Sequence, residues 1–470
     1  MVNLDFRLYD RSLTSITRAA IDIIKGRKSI ASVVEDYFSE EHVKRFAWKI
    51  LVLLVKNYNF VSYIDKTVDS SQNLIELNTR KGNFRTLILL IYLLEENLET
   101  SPPTTFNDQL VKARVKILGK NLELPNSINQ KVEAILDGSI LSRIRKLGPI
   151  PRLSILYSHP SEMVAELHEL LGKRVERVLR EHQLNRSLFI HARDDEALNC
   201  LLRYLQSKKF TYQMERGNNL LVHVANQPGW KGSIVDFINH NNGLLMQDLG
   251  SVAVIGALDV QKGDLILDAC AAPFQKTIAM AWRTGNSGRL LAIDTSFTRI
   301  RENLPRVIKN NIKNLYAINA DASLLPLRSK KKFNKILVDA PCTGSGSIIS
   351  YPELRFLQVD REIPFFSSIQ ARILEEVLGF IEDNVWDKTT VVYSTCSYYP
   401  QEGEAVIESF KNKIILEDIH ETIEWLRLYP FGWKGYGCSR YAIRTFPDMQ
   451  NGCKAFFISR FSVIKPIRKA

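Results

Sequence analysis

Leu265-Ile266-Leu267-Asp268-Ala269-Cys270-Ala271-Ala272-Pro273-Phe274-Gln275-Lys276-Thr277 is an apolar run that stops at an acid and breaks into small residues. Two later stretches repeat the pattern. They are Ile336-Leu337-Val338-Asp339-Ala340-Pro341-Cys342-Thr343-Gly344-Ser345-Gly346 and Val391-Val392-Tyr393-Ser394-Thr395-Cys396-Ser397. Buried parallel strands have this composition, and an open α/β sheet carries its functional groups at their carboxyl ends. The spacing around these runs predicts strands at 264–269, 289–293, 315–319, 334–339 and 389–394, with one more from Ala455 to Phe461. Helices fit between them at 274–284, 297–311 and 366–383. Alternation of this kind predicts a doubly wound α/β domain over 243–470.

Ahead of it the pattern changes. Residues 1–147 carry apolar positions at helical spacing, as in Ile16, Ala19, Ala20, Ile23 and Ile24, and in Phe46, Ile50, Leu51, Leu53, Leu54 and Tyr58. Ser101-Pro102-Pro103 interrupts them, and Pro125-Asn126-Ser127 offers a new helix start. An α-helical bundle is expected there. Gly148-Pro149-Ile150-Pro151 marks a boundary. A small α+β module is expected over 148–242, with helices at 161–171 (capped by Ser158 or Ser161) and 194–207, and strands at 187–192, 212–215 and 220–224. The chain is thus multidomain, as 470 residues require.

The formal net charge of +12 points to a polyanionic partner, most simply nucleic acid. The six cysteines are far apart and the eight histidines show no metal-ligand spacing, which suits a reducing compartment and no metal. The first residues lack an apolar signal core, and Leu87 to Leu94 is too short to span a bilayer. A cytoplasmic protein without a membrane partner is expected.

Each strand end offers a different group. The turn after the first opens a helix, and such turns present N–H groups to an anion. Asp294 ends the second strand, where an acid binds a ribose diol, and Asp321 follows the third. As an ordered set they describe an adenosine-containing cofactor. Asp339 with Cys342, and Cys396 after Thr395, then place two thiols and an acid beside it. A thiolate that adds to carbon 6 of a pyrimidine makes carbon 5 nucleophilic, so methyl transfer from S-adenosylmethionine (SAM) is the chemistry these groups suit.

The chain resembles the NOL/NOP/Sun family of SAM-dependent RNA cytosine-carbon-5 methyltransferases. Its layout is most similar to the Fmu/Sun (RsmB-like) branch, which carries a NusB-like helical domain in front. The resemblance runs from about Pro151 onward, through Tyr157-Ser158-His159-Pro160, Gln247-Asp248, the three strand-end motifs, Arg444-Thr445-Phe446-Pro447 and Phe456-Phe457-Ile458. It implies a Rossmann-like catalytic domain that acts on ribosomal RNA, with transfer RNA as the alternative. A non-catalytic RNA-binding assembly factor is the competing class. By the same resemblance Cys396 stands at the nucleophile and Cys342 at the cysteine that releases product. Asp339 stands at the acid that contacts base and cofactor, and Lys276 at a base or electrostatic partner. Cys270, Ala271, Ala272, Pro273, Phe274, Gln275 and Lys276 stand at the cofactor loop, with Asp294 and Asp321 on ribose and adenine. The family places glycine where Phe274 stands. Two outcomes follow: an ordinary backbone angle with the ring turned to the core, or an obstructed site. The basic run Arg328-Ser329-Lys330-Lys331-Lys332 is a second candidate for phosphate contact.

Overall fold

The computed structural model describes residues 6–26, 28–69, 86–88, 90–91, 93–94, 98, 111, 126–184, 187–215, 217–225, 230–285, 287–327, 332–383, 389–449 and 452–464. The Ser101-Pro102-Pro103 break and residues 328–331 of the basic run lie outside them. The chain divides into two compact units, one of residues 1–184 with 348–359, the other of residues 185–347 with 360–470.

The first unit is helical. Its helices span Phe6–Ile24, Ile30–Tyr37, Glu41–Asp69, Asn126–Leu136, Ser139–Arg145, Pro149–Tyr157, Ser161–Leu171 and Val175–Glu181. The periodic positions of the first and third, including Ile16, Ala20, Ile23, Ile50, Leu54 and Tyr58, all reach its core. Gly148-Pro149 does not break the chain: Pro149 opens a helix, because at the first position its missing N–H costs no hydrogen bond. The cap before Ser161–Leu171 is Pro160, with no side-chain bond, while Ser158 takes a left-handed angle that ends the preceding helix. Residues 148–184 therefore pack with the helical unit.

Arg355 returns to this unit from far along the chain and is fully buried. It donates to the carbonyls of Lys56 at 3.0 Å and His182 at 2.7 Å, and to Gln183 Oε1 at 3.0 Å. Burial lowers its pKa to about 9. Nearby, His159 and His182 share a 3.0 Å contact, and burial followed by Arg355 holds both imidazoles uncharged.

The second unit holds two sheets. The smaller joins β1 (Leu188–Ala192), β2 (Tyr212–Glu215), β3 (Asn218–Val224) and β4 (Leu244–Met246) in the order β2-β3-β1-β4, all antiparallel. Its helix Asp195–Ser207 starts at Asp194, whose carboxylate accepts from the Ala197 N–H. Strand β4 begins after Gly243, so the small sheet closes inside the segment expected to start the third domain.

The larger sheet contains β5 (Leu265–Asp268), β6 (Arg289–Asp294), β7 (Leu315–Asn319), β8 (Lys335–Asp339), β9 (Thr390–Thr395), β10 (Ile414–Glu417), β11 (Ile443–Thr445) and β12 (Phe456–Val463). Strands β7-β6-β5-β8-β9 are parallel. Strand β12 runs antiparallel between β9 and β10, with β11 paired to it. The order reverses at β5, where the chain first goes to one side and then to the other. That reversal opens a crevice at the carboxyl ends of β5, β6 and β8. Helix Leu249–Leu258 is buried on every side. Gly250 permits this, since a Cβ there would sit 2.3 Å from the Phe456 ring. Among the described residues no helix is long and apolar enough to cross a membrane.

Candidate functional site

Each of the four parallel strands β5 to β8 ends in or just before an aspartate: Asp268, Asp294, Asp321 and Asp339. In a basic protein this edge is locally acidic. Asp268 is almost fully buried, with Oδ2 bonded to the Thr277 hydroxyl at 2.6 Å. Burial lifts its pKa to about 7, against that hydroxyl. Its Oδ1 meets no donor. Asp294 accepts from the Ala272 N–H at 3.0 Å and the Ser296 N–H at 2.9 Å. Asp321 is exposed, and its Oδ1 takes the Ser323 N–H and hydroxyl, both at 2.8 Å.

The turn after β5 is knitted to its neighbours. The Ala269 N–H reaches Leu337 O at 2.9 Å, the Ala271 N–H reaches Ile293 O at 2.8 Å, and the Phe274 N–H reaches Ala271 O at 2.8 Å. With Ala272 tied to Asp294, these four N–H groups are engaged inside the protein. The turn does not offer them to an anion, contrary to the sequence reading; only the start of helix Gln275–Thr284 remains for that.

Phe274 precedes that helix with φ +67°, a left-handed angle, and its ring is fully buried. The ring is in the core, as one expectation had it, but the backbone angle is not ordinary. The site is kept open by the ring's direction, while the backbone keeps the conformation that glycine adopts freely. Phe274→Gly relieves about 1 kcal/mol of backbone strain. It also removes a buried ring, which costs about 3–5 kcal/mol. Net destabilisation of about 2–4 kcal/mol is expected in urea unfolding. A gain in stability would mean that strain dominates.

Helix Gln275–Thr284 brings Lys276 to Asp339, with Nζ 2.6 Å from Oδ2. Ser394, directly across from Asp339 in the β8–β9 register, donates to Oδ1 at 2.7 Å. Burial works to lower the pKa of Lys276, but Asp339, Cys396 and Asp268 outweigh it and raise it. Lys276 is thus an ammonium, an electrostatic partner rather than a resting base.

The ends of β8 and β9 bring Cys342 and Cys396 together, sulfur to sulfur at 3.3 Å. Gly346 joins the two loops by its N–H to Cys396 O at 2.9 Å. It has to be glycine, for a Cβ would sit 2.2 Å from Ala455 O. The Cys342 hydrogen bond holds Cys396 down at about 7 against burial, helped by Lys454 and by a hydrogen bond from Ser347, with Asp339 opposing. Cys342 is pushed well up by its bond to Cys396, by burial and by nearby Glu402. Of the pair, Cys396 is the thiol that ionises and Cys342 the one that keeps its proton. Cys270 is different: burial and three aspartates raise it, so it stays protonated.

Sequence reasoning missed Glu402, Gln370 and Lys454. Glu402 bridges the two cysteine loops, and the only sign of it was an acid close behind the Thr-Cys motif in Pro400-Gln401-Glu402.

Residues 255–462 match the family model described as 16S rRNA methyltransferase RsmB/F. This segment is similar to that family. The RsmB/F match does not extend to the NusB-like character expected of residues 1–147. Curated relatives include the 26S rRNA (cytosine-C(5))-methyltransferase nsun-1 of Caenorhabditis elegans, 31% identical over 163 residues. That alignment covers 35% of this chain and 24% of the relative. Ribosomal RNA small subunit methyltransferase B of Yersinia pseudotuberculosis serotype O:1b (strain IP 31758) is 29% identical over 197 residues, 39% of this chain and 43% of that one. The matches thus span under half the length of either curated relative. The solved structure of PH0851 shares the fold, with a TM-score of 0.65 at 20% identity over 95% of this chain and 98% of that one.

Proposed function

We propose that this protein is a SAM-dependent RNA cytosine-carbon-5 methyltransferase that acts on ribosomal RNA. The observation that carries the reading is the thiol pair 3.3 Å apart at the carboxyl edge, beside the Lys276–Asp339 pair. The names of the RsmB/F family and of its ribosomal RNA methyltransferase relatives support the substrate class.

The strand ends fit the cofactor. SAM bears a sulfonium and an ammonium, and the four aspartates form an acidic edge with Oδ1 of Asp268 left as a buried acceptor. Asp294 and Asp321 have lone pairs to spare for hydroxyl or amine donors. Asp294 would hold the ribose and Asp321 the adenine, with residues 270–276 along the methionine part. SAM supplies an electrophilic methyl group at this edge.

The chain's own groups do the rest. The Cys396 thiolate adds to carbon 6 of the cytosine, and the electron pair moves to carbon 5. Asp339, oriented by Lys276 and Ser394, hydrogen-bonds the ring edge and stabilises the adduct. After methylation the proton on carbon 5 must leave. Once Cys396 is bonded to carbon its charge is gone, and the main cause that raises Cys342 goes with it. Cys342 can then give its own proton to solvent and, as a thiolate, take the proton on carbon 5; the carbon 5–carbon 6 double bond reforms and expels Cys396 as a thiolate. The target base must be unstacked, because carbon 6 cannot meet a thiol from inside a helix.

Incubation with ribosomal RNA and labelled SAM should give methylated cytosines on mapping. The rate should rise with pH through about 7, where Cys396 ionises, and fall about tenfold per pH unit on the acid side. Absence of SAM binding in calorimetry would remove the enzyme reading and leave an RNA-binding assembly factor.

A further inference from the structure

Glu402 sits in the turn Pro400–Glu402, a few residues past Cys396, and is fully buried. Four donors converge on its carboxylate. They are the Thr343 N–H at 2.8 Å, the Thr343 hydroxyl at 2.6 Å, the Ser397 hydroxyl at 2.5 Å and the Gln370 amide at 3.2 Å. Thr343 directly follows Cys342, and Ser397 directly follows Cys396. The backbone carbonyl of Glu402 also takes the Tyr393 hydroxyl at 2.8 Å and the Thr395 hydroxyl at 3.1 Å, tying the turn to β9. Among the described residues no lysine or arginine pairs with this carboxylate, so a bond to a cation does not offset its charge. The Glu404 carboxylate nearby does have such a partner, Arg444.

A brace of this kind does two things at once. It holds the residues next to both thiols, so it sets their separation. It is also held more by the Cys342 loop, which supplies two of the four donors through Thr343, than by the Cys396 loop, which supplies one through Ser397. Cys342 faces Glu402, Cys396 and the Gly344 N–H. Cys396 faces Lys454, Lys276, Ser347, Asp339 and Cys342. Glu402 disfavours a charge on Cys342, while Lys454 favours one on Cys396 against the opposing Asp339, so the shared proton stays on Cys342.

We propose that Glu402 is a positioning residue that biases which thiol is the nucleophile, holding both loops through Thr343 and Ser397 and favouring the proton on Cys342. The role of the thiolate rests on the function proposed above. The ionic state of the pair does not, and it can be measured without RNA or cofactor.

The test is trace iodoacetamide labelling of the full chain across about pH 6 to 9, with Cys342 and Cys396 quantified by peptide mass spectrometry. The native protein should label Cys396 over Cys342 by about tenfold or more. Glu402→Gln keeps the shape, and the Ser397 hydroxyl can turn to accept from the new amide. Without the charge, the preference should fall about threefold. Glu402→Asp keeps the charge but shortens the brace, and should retain the preference for Cys396. A purely structural brace predicts the reverse order, with the longer Gln variant closer to native. An unchanged ratio in Glu402→Gln, or parity in Glu402→Asp, overturns the proposal. If circular dichroism shows that Glu402→Gln does not fold, Glu402→Asp decides alone: a kept preference supports the proposal and parity overturns it. Labelling as expected without any RNA methylation would sink the proposed function and leave this role standing. Methylation with a ratio unmoved by Glu402→Gln would do the opposite.

Discussion

Cys396→Ala should cut methyl transfer by about 10⁴-fold or more, because the covalent route to carbon 5 has no second nucleophile of the right ionic state. Cys342 stands 3.3 Å away but holds its proton, and Cys270 is protonated as well. Cys342→Ala should behave differently. Addition to carbon 6 is slowed, because Cys396 loses the hydrogen bond that holds its pKa down, but methylation still proceeds and the proton on carbon 5 loses its acceptor. The enzyme should then accumulate on RNA as a complex that survives denaturing electrophoresis. The pair of variants is read on one gel with labelled SAM and RNA. An adduct from Cys396→Ala, with none from Cys342→Ala, would exchange the two roles.

The second large effect is structural. Arg444 and Glu404 are both fully buried, joined by two hydrogen bonds of 2.8 and 2.5 Å. Arg444 also donates to Ser397 O at 2.8 Å, and its guanidinium lies over the Trp433 and Phe457 rings at 4.9 and 5.1 Å. Arg444→Met would fill similar space and leave Glu404 charged in a dry interior. A loss of about 3–5 kcal/mol is expected in urea unfolding followed by tryptophan fluorescence. The double variant Arg444→Met with Glu404→Leu should recover much of that, since no charge is then left without a partner. A loss under about 1 kcal/mol for the single variant would mean that water reaches Glu404. The pair also touches the site: Ser397, which Arg444 holds by its carbonyl, is held by Glu402 at its hydroxyl.

The parallel strands were legible in the sequence because strands buried on both faces must be continuously apolar, and because their ends carry acids and small residues. All five of the first strands fall within a residue or so of the expected places. Helix Leu249–Leu258 left no such trace. It is buried all round, so its sequence has no periodicity to detect. Strand β12 was expected, but its antiparallel insertion between β9 and β10 depends on pairing, which local sequence does not encode. Gly148-Pro149 misled for a related reason: the same dipeptide can end a domain or open a helix, and only the packing decides. At the site, the two thiols, Asp339 and Lys276 are brought together as their strand ends suggested. Their ionic state was not legible, because it depends on Glu402 and Lys454, which reach the pair from other turns of the chain.

Arg355 carries a consequence for how the protein is made. The helical unit is not a continuous stretch of chain, since it includes residues 348–359. A ribosome delivers residues in order, and domains generally fold as they emerge. The helices up to Leu184 can form early, but the carbonyls of Lys56 and His182 must wait for Arg355, on the order of ten seconds later at ordinary elongation rates. By then β5 to β8 have already emerged. The helical unit is thus among the first parts of the molecule to be synthesised and among the later ones to be completed.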